Sequence, residues 1–422
     1  MSARTEEGTL LDDRQRLSPA TGISVPGAFD SVEPANKRWL SGPFVRLLAT
    51  NMAFGFSMSC FYLLPKHLTL GYGASPGKVG AVVGVFGLAS VLAVPWLGRV
   101  VAALGLARTL VVSQAMMAAS AFAFAFLDAI GPAMLLLRVL QGLATAGVLT
   151  AGMAMVCEIA PAHRLGQAMG LAGAASLIMN AIAPVLAEPI GARLGFGWVF
   201  AMAGAASLLG AMIARGLPRA KPSVDGQAPP QGLRHVLAVL VALSATATGF
   251  HVVMAFLAPL ALSHGFSNVG GFYVAYTAAA LFMRTVGGSL TDRLGLRRAA
   301  FFGALAYGAC IAAIASVGPR SLILFGLWFG VAHGVLFPAL MALLFQDSAP
   351  AARARLAAFS NGVLNLGMLT VLGFGQLANR AGLPSVFVVT GALVAISSRA
   401  LAYERLRRAT AMVSVLRAAN RE

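Results

Sequence analysis

Charged residues are scarce in this chain of 422 amino acids: they form 11% of it, and Asp and Glu together number 14. Three cysteines occur, and their spacing matches no metal or redox motif. The chain also has no GxxxxGK[ST] phosphate loop and no HExxH pair, and no nucleophile turn of the GxSxG type stands out in it. These absences argue against ATP-driven transport by this chain and against the common hydrolases. We therefore expect neither an enzyme nor a bound cofactor or metal.

Apolar residues dominate instead, at 58% of the chain and a mean hydropathy of +0.81. A helix of about 20 apolar residues crosses a bilayer. Twelve runs of that order are separated by short turns rich in Gly, Pro and Arg, and they lack the alternation of membrane β-strands. The sequence therefore predicts an all-α membrane protein with twelve transmembrane helices. They are expected at 45–65, 77–97, 109–127, 132–155, 166–189, 197–214, 235–262, 269–289, 299–317, 320–345, 358–379 and 384–403.

Basic residues give the chain a formal net charge of +17, and their placement follows the predicted spans. Two of the 31 Lys and Arg residues lie within spans, and most of the others lie on the side of the chain termini. The exceptions on the opposite side are Lys66, Lys78, Arg193, Arg320 and Arg380. Basic loops stay in the cytoplasm, so we expect cytoplasmic termini and a multi-pass protein of a bacterial inner membrane. Because the charge orients helices, nucleic acid is not an expected partner.

Polar stretches divide the chain into segments. Residues 1–44 carry mixed charges without a signal-peptide pattern, and we interpret them as a disordered cytoplasmic tail. The longest polar segment between spans, 215–234, separates predicted six-helix bundles at 45–214 and 235–403. A second cytoplasmic tail is expected at 404–422.

The two predicted bundles carry related turns. GGSLTDRLGLRR at 287–298 and GRVVAALGLAR at 98–108 share Gly, Leu, Gly, Leu and Arg at positions that differ by 190 residues each time. The order continues downstream, where APAHR at 160–164 corresponds to APAAR at 349–353. A duplicated six-helix unit predicts two pseudo-repeats with a binding site at their interface, near the membrane midplane.

The charged copy of this turn resembles the G-x-x-x-D-R-x-G-R-R signature of the major facilitator superfamily. The resemblance extends over about residues 45–403 and is strongest to bacterial sugar-efflux and drug-efflux proteins. It implies a latch of ion pairs that holds the cytoplasmic side in one conformation. In the first copy Ala102 occupies the position of the acid. The implied latch residues are Gly288, Asp292, Arg293, Gly295, Arg297 and Arg298, with Gly98, Gly105 and Arg108 in the first half.

Charges within predicted spans need a reason, because a charge at a helix centre in lipid costs at least about 2.5 kcal/mol. Arg138, Gln141 and Gly142 resemble the R-x-x-Q-G pattern of antiporters in this superfamily. The pattern implies that Arg138 binds an anionic group or influences a nearby protonation, whereas a strut between helices is the structural alternative. Glu188 is the one carboxylate expected inside a span, as a proton carrier or as an interfacial acid, and the antiporter glycine pattern around it is mostly lost.

Histidines near the middle of spans seven and ten are candidate proton carriers. His251 and His333 are the residues concerned, and they can carry a proton because imidazole titrates near neutral pH. In the superfamily arrangement spans one, four, seven and ten line the central cavity, where Asn51 would join them. A neutral imidazole bonded to a neighbouring helix is the alternative. Arg284 is expected to be structural, with its side chain directed towards the cytoplasmic face.

These observations favour a monomeric secondary transporter that moves a small organic molecule by alternating access. Proton-coupled efflux is the preferred interpretation. Proton-coupled or facilitated uptake of a metabolite is the alternative, because the same cycle runs in either direction. A transport-inactive sensor and an intramembrane enzyme are further alternatives. The expected partners are the substrate, protons and the lipid bilayer.

Overall fold

Long helices account for nearly all of the described structure. The computed structural model describes residues 41–161, 164–219, 233–346 and 350–419. The description leaves out the side chains of 165–166, 233–235, 285–293, 350–355, 357–358, 361 and 402–419. No β-strand occurs in the described ranges, in agreement with the lack of alternating apolar residues.

The helices are numbered as spans in chain order. Span 1 consists of Gly42–Cys60 and Leu64–Tyr72, joined by a 3-10 turn at Phe61–Leu63. Single helices form the other spans, in order Pro76–Leu104, Leu106–Phe124, Pro132–Ile159, Leu165–Leu194, Phe196–Ala214, Leu233–Ser263, Gly270–Leu294, Leu296–Ile314, Leu322–Phe345, Pro350–Ala381 and Leu383–Ala419.

All twelve predicted spans are present as helices. Within the described residues, ten of them contain an apolar window long enough to cross a membrane. The other two, Gly270–Leu294 and Pro350–Ala381, include ranges whose side chains lie outside the description. Span 12 continues as a helix to Ala419, well beyond the predicted end at 403, because residues 400–419 contain neither Gly nor Pro to stop it.

The turns between helices repeat from one half to the other. Gly105 between spans 2 and 3 has φ +78°, and Gly295 between spans 8 and 9 has φ +80°. Residues with a Cβ rarely adopt this backbone region, so glycine is needed at both turns. Gly195 and Gly382 form a second pair with positive φ, between spans 5 and 6 and between spans 11 and 12. The matched turns reflect the internal repeat.

Helix packing has the same symmetry. In the first half, span 1 packs on spans 5 and 6, span 4 packs on spans 2 and 3, and span 3 packs on span 6. The second half makes the equivalent contacts: span 7 packs on spans 11 and 12, span 10 packs on spans 8 and 9, and span 9 packs on span 12. Between the halves, span 2 packs along span 11 and span 5 along span 8, and these two contacts are equivalent in the same way. The chain thus folds as two six-helix pseudo-repeats.

Candidate functional site

The two faces of the helix bundle are named after the charge-based prediction. The outer face carries the turns between spans 1 and 2 and between spans 7 and 8. The cytoplasmic face carries the turns that contain Gly105 and Gly295. Contacts between the halves differ at these two faces.

Near the outer face, spans 2 and 11 are in backbone contact. A Cβ built on Gly80 of span 2 would lie 2.8 Å from the Cα atom of Gly375 in span 11. The N–H of Gly77 donates a hydrogen bond to Oδ1 of Asn379 at 2.9 Å. Small residues in membrane helices permit such close approach. The outer ends of the two halves are therefore pressed together here.

A buried ion pair joins the halves at a second place on the outer face. Nζ of Lys66 in span 1 pairs with the carboxylate of Glu188 in span 5 and donates to the carbonyl of Ser267 at 2.6 Å. The N–H of Gly270 donates to Glu188 at 2.9 Å, so the carboxylate caps the N-terminus of span 8. The helix dipole favours an anion at this position. We call Lys66, Glu188, Ser267 and Gly270 the outer latch.

Sequence reasoning missed Lys66, which was counted only among the charges that orient the chain. The signal was available, because Lys66 and Glu188 are opposite charges at the outer ends of apolar runs. Lys66 is 7% exposed. No described contact joins Glu188 to a histidine, and its role in proton transfer stays a prediction.

At the cytoplasmic face, two glycines of the described chain lack a contact as close as that of Gly80. A Cβ built on Gly98 of span 2 or on Gly170 of span 5 meets no described heavy atom within 4 Å. Arg108 and Arg298 are exposed on the first turns of spans 3 and 9. The side chains of Asp292 and its neighbours lie outside the described residues, so the cytoplasmic latch stays a prediction. The residues concerned are Gly288, Asp292 and Arg293.

An aromatic cluster lies between spans 1, 7, 8 and 10. His333 is 8% exposed, its Nδ1 shares a hydrogen bond of 3.3 Å with the Tyr276 hydroxyl, and the Phe250 ring stacks on it at 5.7 Å. Tyr62 of the first half stacks on Tyr273 of the second half at 6.1 Å. We call these five residues the central cluster. Both pseudo-repeats contribute rings to it.

The structure brings the two predicted histidines together around one ring. His251 lies 5.3 Å from Phe250, whose other neighbour is His333. Nδ1 of His251 is 2.8 Å from the carbonyl oxygen of Ala247. Because a carbonyl only accepts, the proton of a neutral His251 lies on Nδ1, and Nε2 is left as an acceptor. The structure describes no hydrogen-bond partner for this nitrogen within the described residues.

The residues of the antiporter-like pattern lie elsewhere. Arg138 is 2% exposed and donates from Nε to the carbonyl of Val82 at 3.1 Å and from Nη1 to Oε1 of Gln141 at 2.7 Å. Its guanidinium lies 4.5 Å from the centre of the Phe86 ring. Asn51 lies on span 1, beside span 4. All these contacts are within the first half and do not reach the histidines.

One further polar residue beside the central cluster escaped the sequence analysis. Asn180 of span 5 accepts a hydrogen bond from Oγ of Ser59 at 2.8 Å and from the Tyr62 hydroxyl at 3.4 Å. The only sign of it was a lone amide in the apolar run SLIMNAIAP. In the described part of the chain, no cluster of three or more metal-ligating side chains occurs.

Comparison with known proteins decides the family. The family model described as Major Facilitator Superfamily matches residues 47–369. The chain belongs to the Major Facilitator Superfamily. A search of curated proteins finds no match. Among solved structures, a crystal structure of a mutant of the nucleoside transporter NupG is similar, with a TM-score of 0.67 at 14% identity. That match covers 85% of this chain and 99% of NupG, and it shows the shared fold.

Membership in the superfamily confirms the predicted fold class. It also makes the protein a multi-pass membrane transporter of small molecules rather than an enzyme. Secondary transporters hold their substrate at the interface of the repeats, near the bilayer midplane. The central cluster lies where the two halves meet, since Tyr62 of the first half stacks on Tyr273 of the second, and it is the candidate substrate site.

Proposed function

We propose that this transporter exports a small organic molecule from the bacterial cytoplasm across the inner membrane in exchange for protons. Resemblance to sugar-efflux and drug-efflux proteins favours this direction. The observation that carries the proposal is the central cluster, in which Tyr62 of one half meets Tyr273 of the other. A solute bound there contacts both halves, so its binding is coupled to their relative movement. The imidazoles of His333 in the cluster and of His251 next to Phe250 are the groups to which we assign proton binding.

The contacts at the two faces support a cycle that starts on the cytoplasmic side. The outer ends of spans 2 and 11 touch, whereas a Cβ built on Gly98 or Gly170 at the cytoplasmic face meets no described heavy atom within 4 Å. The solute therefore enters from the cytoplasm in this conformation. Release to the outside requires spans 2 and 11 to separate and the outer latch to open. Lys66 and Glu188 belong to the same half, so the contacts that break are those to Ser267 and Gly270.

Uptake of a metabolite is the second candidate. It is favoured by Glu188, which stands where antiporters of the superfamily have a glycine and whose carboxylate belongs to the outer latch. NupG is a nucleoside transporter by name. Because stacked rings suit a planar solute, nucleosides belong in any panel of test compounds alongside drugs and sugars.

Inside-out vesicles test the proposal. The lumen is made acidic, and a pH-sensitive dye reports proton release when drugs, sugars, amino acids or nucleosides are added. Proton release that depends on a compound identifies both antiport and the chemical class. Arg138→Ala, expected to abolish the response, is compared with Arg399→Ala, which removes an exposed charge from span 12. Accumulation of a compound without proton release, or uptake in right-side-out vesicles driven by an inward gradient, would contradict the proposed antiport.

A further inference from the structure

Arg284 of span 8 is a cation inside the membrane region that no described carboxylate neutralises. Its Nε is buried and has no hydrogen-bond partner in the described structure. Its guanidinium lies 5.7 Å from the centre of the Phe337 ring of span 10. A charge in an apolar environment is expensive unless it is paired. The cost calls for a compensating function, and the interpretation of Arg284 as a purely structural side chain supplies none.

The guanidinium of Arg284 reaches the boundary between the halves. Its Nη1 lies 3.6 Å from the place that a Cβ on Gly173 of span 5 would occupy. Gly173 is exposed and has no side chain, so room remains beside the guanidinium. The Phe337 ring under Arg284 also contacts His333 at 5.6 Å. Arg284 therefore lies at the edge of the central cluster and faces the opposite half.

The other charges of the spans do not compensate this cation. The Glu188 carboxylate is engaged by Lys66 and by the start of span 8. The second intramembrane arginine, Arg138, is bound to a carbonyl and an amide in the first half. The edge of the central cluster thus combines aromatic walls with a positive charge, that of Arg284, which has neither a described carboxylate nor a hydrogen-bonded partner at Nε. A neutral solute would leave that charge unpaired, whereas an anion would neutralise it.

We propose that Arg284 is the substrate-binding cation and that the substrate is a planar organic oxyanion. The proposal rests on the transport function proposed above. The forked guanidinium binds a carboxylate or phosphate group with two parallel hydrogen bonds, and Nη1 of Arg284 faces the exposed Gly173. The Phe337 ring, 5.7 Å from the guanidinium carbon, attracts the cation from the other side of the contact between spans 8 and 10. The body of the substrate packs on the rings of the central cluster, beside His333.

Matched pairs of probes test this assignment on the purified full-length protein in detergent. The pairs are 2-naphthoate with 2-naphthamide, indole-3-acetate with indole-3-acetamide, and adenosine monophosphate with adenosine. We expect the anion of at least one pair to raise the Tm and its amide or alcohol to have no effect. The Arg284→Gln variant should bind that anion about 10- to 100-fold more weakly, the range expected for a charged hydrogen bond. Whether a carboxylate or the phosphate responds identifies the oxyanion.

Two further variants make the result specific. Arg284→Lys keeps the charge and should retain part of the affinity, and Arg399→Gln, an exposed arginine of span 12, should bind like the wild type. Without ligand, the Tm of Arg284→Gln should equal or exceed that of the wild type, because an unpaired buried charge is removed. Three results would overturn the assignment. They are a clear fall in the ligand-free Tm of Arg284→Gln, an equal rise in Tm with neutral probes and with anions, and no rise in Tm with any of the anions.

The outcome is separable from that of the transport proposal. Proton release driven only by neutral compounds would refute the anion site and keep the exporter. Binding of an anion through Arg284 without any flux would support the site and refute the exporter.

Discussion

Lys66 and Glu188 form a buried ion pair that contacts both halves of the protein. The carboxylate of this pair also accepts a hydrogen bond from the N–H of Gly270 at the start of span 8, so the pair links the two halves. A buried pair brings little net stability, but removing one member leaves an uncompensated charge at a cost of about 3–5 kcal/mol. The pair therefore serves better as a lock on the outer face than as a source of stability.

Replacement of Glu188 by Gln should expose this cost, because Lys66 loses its counter-charge. We expect Glu188→Gln and Lys66→Met each to lower the Tm by several degrees, and the double variant to lose less than their sum. Thermal unfolding of the detergent-solubilised protein followed by intrinsic fluorescence measures all three. Lys78→Gln, which removes an exposed lysine near the same face, is the control and should have the wild-type Tm. Additive losses would show that the two residues act independently.

At the scale of helices, the contact between spans 2 and 11 depends on glycines, which have no side chain to keep the two backbones apart. Gly80 and Gly375 bring the two backbones together, and a Cβ on Gly375 would lie 2.9 Å from the Cα atom of Gly80. Helices that separate and return during a transport cycle need smooth faces of this kind. Small residues therefore serve packing and movement at the same time.

Alanine at Gly375 should push spans 2 and 11 apart at the outer face. We expect Gly375→Ala to lower transport about tenfold or more while insertion in the membrane is retained, because the outer side no longer closes. Transport in the vesicle assay and protein level in the membrane measure the two quantities. Gly373→Ala makes the same change on the same helix, where a Cβ meets no described heavy atom within 4 Å. Equal transport by both variants would show that the close contact is not needed.

At the scale of the whole molecule, two equivalent halves meet around a ring cluster that neither could form alone. Spans 7 and 10 bring the rings of His251 and His333 to centroid distances of 5.3 Å and 5.7 Å from the Phe250 ring. Tyr276 and Tyr307 also face His333, and Arg284 approaches it through Phe337. In the proposed cycle, protonation of His333 is coupled to span 8 through the hydrogen bond between His333 and Tyr276.

Replacing both histidines by Gln should flatten the dependence of flux on pH between about pH 5.5 and 8 if their protonation is part of the cycle. The rate of transport in vesicles, measured at fixed substrate concentration across this range, gives the profile. His264→Gln removes a histidine from the turn between spans 7 and 8, where its Nδ1 bonds the carbonyl of Val317. This control should keep the wild-type profile. An unchanged profile in the double variant would direct attention to Glu188.

Particular residues show how far sequence reasoning reached into the site. His251 and His333 were predicted to lie together because they occur at similar depth in spans that line the cavity of the superfamily. Arg284 was placed on the correct helix, but its lack of a partner was invisible, because pairing depends on which neighbours approach. Asn180 gave no pattern at all. Polar residues in lipid stand out in a sequence, whereas their partners do not.

The sequence by itself determined the number of helices, the duplication and the turns, because apolar length and glycine at positive φ are local properties of the chain. The tertiary structure alone decided that Lys66 pairs with Glu188, 122 residues away, and that spans 2 and 11 touch near the outer face. It also decided that Arg284 faces the other half without a counter-charge. These features depend on helix packing between distant segments, which no single apolar run encodes.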